Sequence, residues 1–317
     1  MDLLASGDAP VFLVGSERSG STLLSHMLDH HPRIAWCGGF EFAVACLQQK
    51  GQWPRLTDYY RTLEIDVIFE RSAFTVDTSL SYPELMSHFL WQQRHREGKE
   101  IAGATVHLSF DRLRWIFPSC RFIHLLRDGR DVSRSRIAMG WDGNMWTAAE
   151  HWMVAEQLWD RLHAELHPGQ WHEVRYESLI RAPAEELHKI CDFIGVPYSP
   201  HMLRYPEDTA YPPPDLTLID QWERTLSARE IQLAEARMAD MLRARGYRLS
   251  GLPPLCVGWR YAQWLREHDR YRRLRFRIQR NGWSLVAADI LARRLHLHGW
   301  ARRLQGRLNA IAWQYFK

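Results

Sequence analysis

The segment Val11-Phe-Leu-Val-Gly-Ser-Glu-Arg-Ser-Gly-Ser-Thr22 constrains the fold more than any other part of the chain. An apolar run from Pro10 to Val14 reads as a buried parallel strand, Gly15 to Gly20 as a tight loop, and Ser21-Thr22-Leu23-Leu24 as the start of a helix. A helix start draws anions, because its first backbone N–H groups lack intrahelical acceptors and lie at the positive end of the dipole. Glycines let the backbone approach a phosphate closely. A nucleoside triphosphatase would carry G-x-x-x-x-G-K-[ST], whose lysine reaches the β- and γ-phosphates. Here the frame is G-x-x-x-x-G-S-T, with Ser21 at the lysine position and Arg18 inside the loop as a different cation. The loop suits a phosphate-like group, but triphosphate chemistry has lost its main cation.

A second segment, Arg121-Phe-Ile-His-Leu-Leu-Arg-Asp-Gly-Arg-Asp-Val-Ser-Arg-Ser135, reads as another strand, turn and helix. Arg127 and Ser135 are eight residues apart, a spacing that can bring a strand-end guanidinium and a helix hydroxyl onto one phosphate. Taken alone, Arg127, Arg130, Arg134 and Arg136 are as well explained by a solvated helix face. In this order the two motifs resemble those of the sulfotransferases that use 3′-phosphoadenosine 5′-phosphosulfate (PAPS). The first loop resembles their 5′-phosphosulfate site and the second segment their 3′-phosphate site. His31-Pro32 resembles the family's H-P after the first helix, and Val174-Arg-Tyr-Glu-Ser-Leu179 with Pro183 its Y-E-x-L segment. Asp192-Phe-Ile-Gly-Val-Pro197 and the stretch from Trp222 to Arg245-Gly-Tyr247 extend the likeness over residues 10 to 250. The arrangement is most similar to tyrosylprotein sulfotransferases and their bacterial relatives.

The resemblance implies transfer of a sulfuryl group from PAPS to an acceptor hydroxyl, in line and without a metal. It implies that Arg18 and the backbone of Ser19, Gly20, Ser21 and Thr22 hold the 5′-phosphosulfate, and that Arg127 and Ser135 hold the 3′-phosphate. Tyr176 is a further nucleotide contact or, equally, a buried aromatic at a strand end. The acceptor proton needs a base within hydrogen-bond reach. Glu41 follows His31-Pro32 at roughly the place of the tyrosylprotein glutamate, though at longer spacing. His107 is similar in position to the histidine of the K-T-H of cytosolic sulfotransferases, with Thr105 in the lysine's place. Either residue could instead be structural. Both family lysines are missing, and Gln221 precedes Trp222 where tyrosylprotein relatives carry lysine, so Arg18 becomes the principal cation near the leaving oxygen.

Alternation of strands and helices predicts an α/β fold, a P-loop-like parallel sheet flanked by helices, with ligands at the carboxyl ends of the strands. Strands are expected at residues 10 to 15, 101 to 106, 121 to 126 and 171 to 176. Helices are expected at 20 to 30, 109 to 117, 131 to 138 and 147 to 166. Residues 40 to 100 read as mainly helical and are expected to shape the acceptor side.

At 317 residues, 46% hydrophobic and 25% charged, the chain can bury a sizeable core. Its start, Met1-Asp-Leu-Leu-Ala-Ser-Gly-Asp8, lacks the pattern of a signal peptide, so a cytoplasmic location is expected. Cys37, Cys46, Cys120, Cys191 and Cys256 are odd in number and scattered, which argues against a disulfide framework or zinc site and for reduced packing residues.

Charge divides the chain at about residue 250. Residues 257 to 317 hold 13 Arg and 1 Lys against 3 acids, a net of +11, so the rest carries −7 of the total +4. We expect a PAPS-dependent domain over residues 1–250 and a basic amphipathic helical extension over 251–317. That extension could cap its own core, meet a membrane surface or a lipid-linked acceptor through Trp283, Trp300, Trp313 and Phe316, or bind an acidic glycan; no nucleic-acid motif is present. Two rival functions remain: a kinase-like transferase using Asp128 and Asp131 for magnesium, and a non-catalytic nucleotide-binding protein at a membrane. Among acceptors, a carbohydrate or small hydroxyl metabolite is favoured over peptide tyrosine, because no long acidic-peptide groove signature stands out. The segment Trp141-Asp-Gly-Asn-Met-Trp146 could stack on such an acceptor or be a packed loop.

Overall fold

A computed structural model describes residues 9–295 and 297–313. The readings that fall on Met1–Asp8 and on Phe316 lie outside the described residues. Two compact units make up the chain. One comprises the residues up to Arg127 with Val154–Ile219, and the other Asp128–Met153 with the residues from Asp220 onward.

The first unit contains a five-stranded parallel sheet in the order β2-β3-β1-β4-β5. Its strands are β1 (Val11–Val14), β2 (Ile34–Gly39), β3 (Ile101–Val106), β4 (Arg121–Leu126) and β5 (Trp171–Arg175). β1 is central, with Val14 in register with Val106 of β3 and His124 of β4. Its side chains alternate between two cores: Phe12 and Val14 enter one, Val11 and Leu13 the other. All four are fully or almost fully buried, as expected of a parallel strand covered on both faces. After β1 the chain runs to one edge and returns through β3, then crosses to β4 on the other side. That reversal makes the carboxyl end of β1 a topological switch point, where such sheets bind ligands.

Helix α1 (Ser21–Asp29) follows β1. The connection between β2 and β3 is helical, as its sequence predicts: α2 (Phe42–Ala45), α3 (Leu56–Leu63), α4 (Val67–Ser72) and α5 (Tyr82–Glu97). Ser81 and Glu84 form a capping box at the start of α5, and Gly98 ends it in a left-handed conformation. A short α6 (Leu113–Ile116) precedes β4; α7 (Gly129–Ala138) and α8 (Met145–His163) lead to β5. α9 (Tyr176–Arg181), α10 (Pro183–Ile194) and α11 (Tyr205–Asp208) complete the first unit. His31 joins two of the recognised segments, donating from Nε2 to the carbonyl of Pro197 at 2.8 Å while its Nδ1 accepts from the backbone of Arg33.

The second unit is helical: α7, the start of α8, α12 (Gln221–Thr225), α13 (Ala228–Ala244), α14 (Trp259–Asn281), α15 (Trp283–Arg294) and α16 (His298–Trp313). Strand β2 is the element that the sequence reading missed. Its run Ile-Ala-Trp-Cys-Gly-Gly ends in two glycines, which weaken any strand signal, and pairing with β3 supplies what local propensity lacks. Cys37, Cys120 and Cys191 are buried, as packing residues would be, whereas Cys256 is exposed.

Candidate active site

The loop after β1 owes its path to three backbone positions in the left-handed half of φ. Gly15 has φ +144°, and a Cβ there would lie 2.5 Å from the Leu125 carbonyl oxygen of β4. Gly20, at φ +98°, would drive a Cβ to 2.4 Å from the Tyr176 ring. Arg18 holds φ +71° with no glycine to ease it, a strained conformation of the kind found at binding loops. A backbone hydrogen bond from Ser19 to Ser16, 3.2 Å, closes the turn.

This geometry fits a phosphate-like anion. Gly20 caps α1 without a side-chain hydrogen bond to the first-turn N–H groups, and no acid occurs in that turn. The Ser19 hydroxyl is buried and has no hydrogen-bond partner among the described residues. A buried hydroxyl beside uncapped amides is an arrangement that an anion satisfies.

Arg127, at the end of β4, braces the loop from behind. Its guanidinium lies 4.1 Å from the centroid of the Tyr176 ring and donates to the carbonyl of Arg18 at 3.2 Å and of Leu218 at 3.0 Å. Tyr176 is therefore a buried wedge between Gly20 and Arg127, at the first position of α9 rather than in the strand. Ser135 lies half-buried on α7 in the second unit.

The two alternative bases of the sequence reading meet in one hydrogen-bonded chain with the residue that replaces the lysine. Ser21 Oγ is 2.8 Å from His107 Nε2, and His107 Nδ1 is 2.9 Å from Glu41 Oε1. The same carboxylate oxygen accepts the backbone N–H of His107 at 3.2 Å. Burial works against the charge on Glu41, but the hydrogen bond and charge of His107 outweigh it and hold the carboxyl below its usual range. An ionised Glu41 can only accept, so Nδ1 carries the proton. In the neutral ring Nε2 then accepts from Ser21. Glu41 Oε2 is buried and has no hydrogen-bond partner among the described residues.

A second chain fixes Ser21 from below. Trp36 Nε1 donates to Thr105 Oγ1 at 3.1 Å, Thr105 is 3.1 Å from Ser25 Oγ, and Ser25 donates to the Ser21 carbonyl at 2.9 Å. Gly103 makes room for this, since a Cβ there would come within 2.1 Å of the Trp36 ring. The sequence reading noted Thr105 but missed Trp36 and Ser25. The i, i+4 relation of Ser21 and Ser25 on one helix face was the available signal.

The arginine run is not a solvated face. Arg127, Arg130 and Arg136 are 7%, 1% and 5% exposed. In the second unit Arg130 makes bidentate contact with Asp128 at 3.0 and 2.6 Å, bonds Glu235 at 2.8 Å and stacks 3.5 Å over Trp222. Asp131 accepts the backbone N–H groups of Gln221 and Trp222, and Arg134 donates to Gln221. Asp128 and Asp131, the acids a kinase-like site would assign to magnesium, are thus engaged as helix cap and backbone acceptor. Residues 141–144 form a packed loop that leads into α8, where Met145 and Trp146 lie: Asp142 is buried on Arg136, and Gly143 donates to Asp269 of α14.

A model described as the sulfotransferase family matches residues 10–200. A putative protein-tyrosine sulfotransferase of Caenorhabditis briggsae is 27% identical over 218 residues, covering 65% of this chain and 72% of that protein. Protein-tyrosine sulfotransferase A of Caenorhabditis elegans is 22% identical over 268 residues, 77% of this chain and 68% of that one. Among solved structures, the sulfotransferase domain of the Synechococcus PCC 7002 olefin synthase superposes with a TM-score of 0.55 at 21% identity, over 76% of this chain and 97% of that domain. The fold likeness and the match over more than half of the sequence agree, and the chain belongs to the sulfotransferase family.

Proposed function

We propose that the protein transfers a sulfuryl group from PAPS to an acceptor hydroxyl, with His107 as general base and Glu41 as the carboxylate that orients it. The observation carrying this reading is the Ser21–His107–Glu41 chain at the mouth of an anion-binding loop. PAPS supplies an activated sulfuryl group on a phosphate leaving group. The chain's residues then have three tasks. Nε2 of His107 accepts the proton of the acceptor hydroxyl once that hydroxyl displaces Ser21. The ionised Glu41 stabilises the imidazolium so formed. The uncapped amides of α1, the Ser19 hydroxyl and Arg18 stabilise charge gathering on the leaving phosphate. Ser21, released from His107, can donate a hydrogen bond where other phosphate loops place a lysine. Assignment of the 3′-phosphate to Arg127 and Ser135 rests on sequence resemblance.

A carbohydrate or small hydroxyl metabolite is the favoured acceptor. Peptide tyrosine is the second reading, supported by the names of the two nematode relatives. Calorimetric titration with 3′-phosphoadenosine 5′-phosphate, beside ATP with magnesium, tests the nucleotide. Tight binding of the bisphosphate that Arg18→Ala weakens is expected, and preference for ATP would overturn the proposal. Radiolabelled PAPS with panels of sugars, alcohols and tyrosyl peptides then ranks the acceptors.

A further inference from the structure

The basic C-terminal helices carry apolar residues on their outward side as well as their inward one, which a simple cap does not require. In α14, Leu265 and Asp269 face inward, and a Cβ on Gly140 would lie 2.1 Å from the Phe276 ring. At 100° per residue, Trp264, Tyr271, Leu274 and Ile278 form a stripe on the opposite side of the same helix. They are 55%, 60%, 37% and 37% exposed. Helix α15 repeats the pattern: Val286, Asp289 and Ala292 are buried while Trp283 and Leu291 are 74% and 49% exposed. Arg260, Arg270, Arg275 and Arg294 are exposed on these two helices.

The outward charge is more one-sided than the sequence count implies. Of the three acids after residue 257, Asp269 is buried and accepts from Gly143 and Thr147 at 2.6 and 2.8 Å. Asp289 is buried between Arg277 and Arg293 at 3.0 and 2.9 Å. Glu267 alone is exposed, and it pairs with Arg270.

We infer that the outward sides of α14 and α15 dock on an anionic lipid bilayer, lying in the interface plane. Exposed aromatic and aliphatic side chains gain by entering the headgroup and upper acyl region, while arginines beside them meet lipid phosphates and carboxylates. A second copy of the chain is disfavoured, because two such faces would oppose like charges. A polyanion such as heparin or nucleic acid would use the arginines but gain little from Leu274 and Ile278. None of the described helices is long and apolar enough to cross a membrane, so the contact is peripheral. This inference is independent of the sulfuryl-transfer reading.

Flotation of the full chain with vesicles tests it, using phosphatidylcholine alone or mixed in equal parts with phosphatidylserine, at low and high salt. Binding to the anionic vesicles alone, weakened by salt, is expected. Arg270→Gln with Arg275→Gln should weaken it roughly 25-fold, about fivefold per arginine. Trp264→Ser with Trp283→Ser should weaken it more than about tenfold, with an unchanged thermal midpoint showing that the fold is intact. Absence of binding to anionic vesicles would overturn the inference. So would binding indifferent to the tryptophan pair, or heparin binding in its place, either of which would mark a polyanion site.

Discussion

Replacing Glu41 by Gln removes one charge while keeping an oxygen that can accept from His107 Nδ1 at the present 2.9 Å. The tautomer survives, and what is lost is the attraction that, in the proposed mechanism, grows as His107 takes the acceptor proton. Two unit charges with centres about 4 Å apart interact by roughly 4 kcal/mol at an effective dielectric of about 20. Both side chains are about one-fifth exposed, 18% and 20%, so solvent reduces this to about 2 kcal/mol. Turnover should fall about 30-fold, since each 1.36 kcal/mol is a factor of about ten. His107→Gln removes the proton acceptor and should cost about a hundred- to ten-thousandfold. The assay is release of 3′-phosphoadenosine 5′-phosphate from PAPS with a saturating acceptor, for both single variants and the double. In the proposed mechanism Glu41 acts through His107, so the double variant should be no slower than His107→Gln alone. A further 30-fold loss from Glu41→Gln in the His107→Gln background would refute the reasoning. It would mean that Glu41, through its unpartnered Oε2, takes the proton itself.

Three further outcomes follow from the packing. Gly20→Ala places a methyl 2.4 Å from the Tyr176 ring at a φ of +98°, so it should lower stability by about 2 kcal/mol or more and weaken nucleotide binding, read by denaturant melts and calorimetry. Asp128→Asn leaves the buried Arg130 short of its bidentate carboxylate and should cost about 3 kcal/mol in the same melts; a change below about 0.5 kcal/mol would show that Glu235 and the Arg248 carbonyl suffice. Burial opposes the charge on His124, but Glu156 and Glu173 outweigh it and raise its pKa above the usual 6.5. A raised folded-state pKa gives stability that is complete below pH 6.5 and lost as pH rises through the elevated value. Thermal midpoints against pH should decline over that window, and Glu156→Gln should flatten the decline; parallel curves would remove His124 as the cause.

Local pattern carried the elements that announce themselves. The apolar run before Gly15 and the S-T-L-L after Gly20 fix a strand, loop and helix because each residue's preference agrees with its neighbours'. β2 was illegible because its glycines say turn, and only hydrogen bonds to β3 make it a strand. The arginine run was ambiguous for a related reason. Nothing in its spacing says that Arg130 will find Asp128, Glu235 and Trp222 around it.

Sequence alone determined the family, the parallel α/β plan, the glycine-bounded loop after β1 and the absence of a lysine from it, since all of these are properties of contiguous segments. It also offered Glu41 and His107 as alternative candidates for a base. Tertiary structure joined the two side chains in one hydrogen-bonded chain with Ser21. Glu41 and His107 are 66 residues apart, and Ser21 is 86 residues from His107. Parallel pairing of β1, β2 and β3 brings the carboxyl ends of three strands side by side, and hydrogen bonds that span such separations exist only once that sheet has formed.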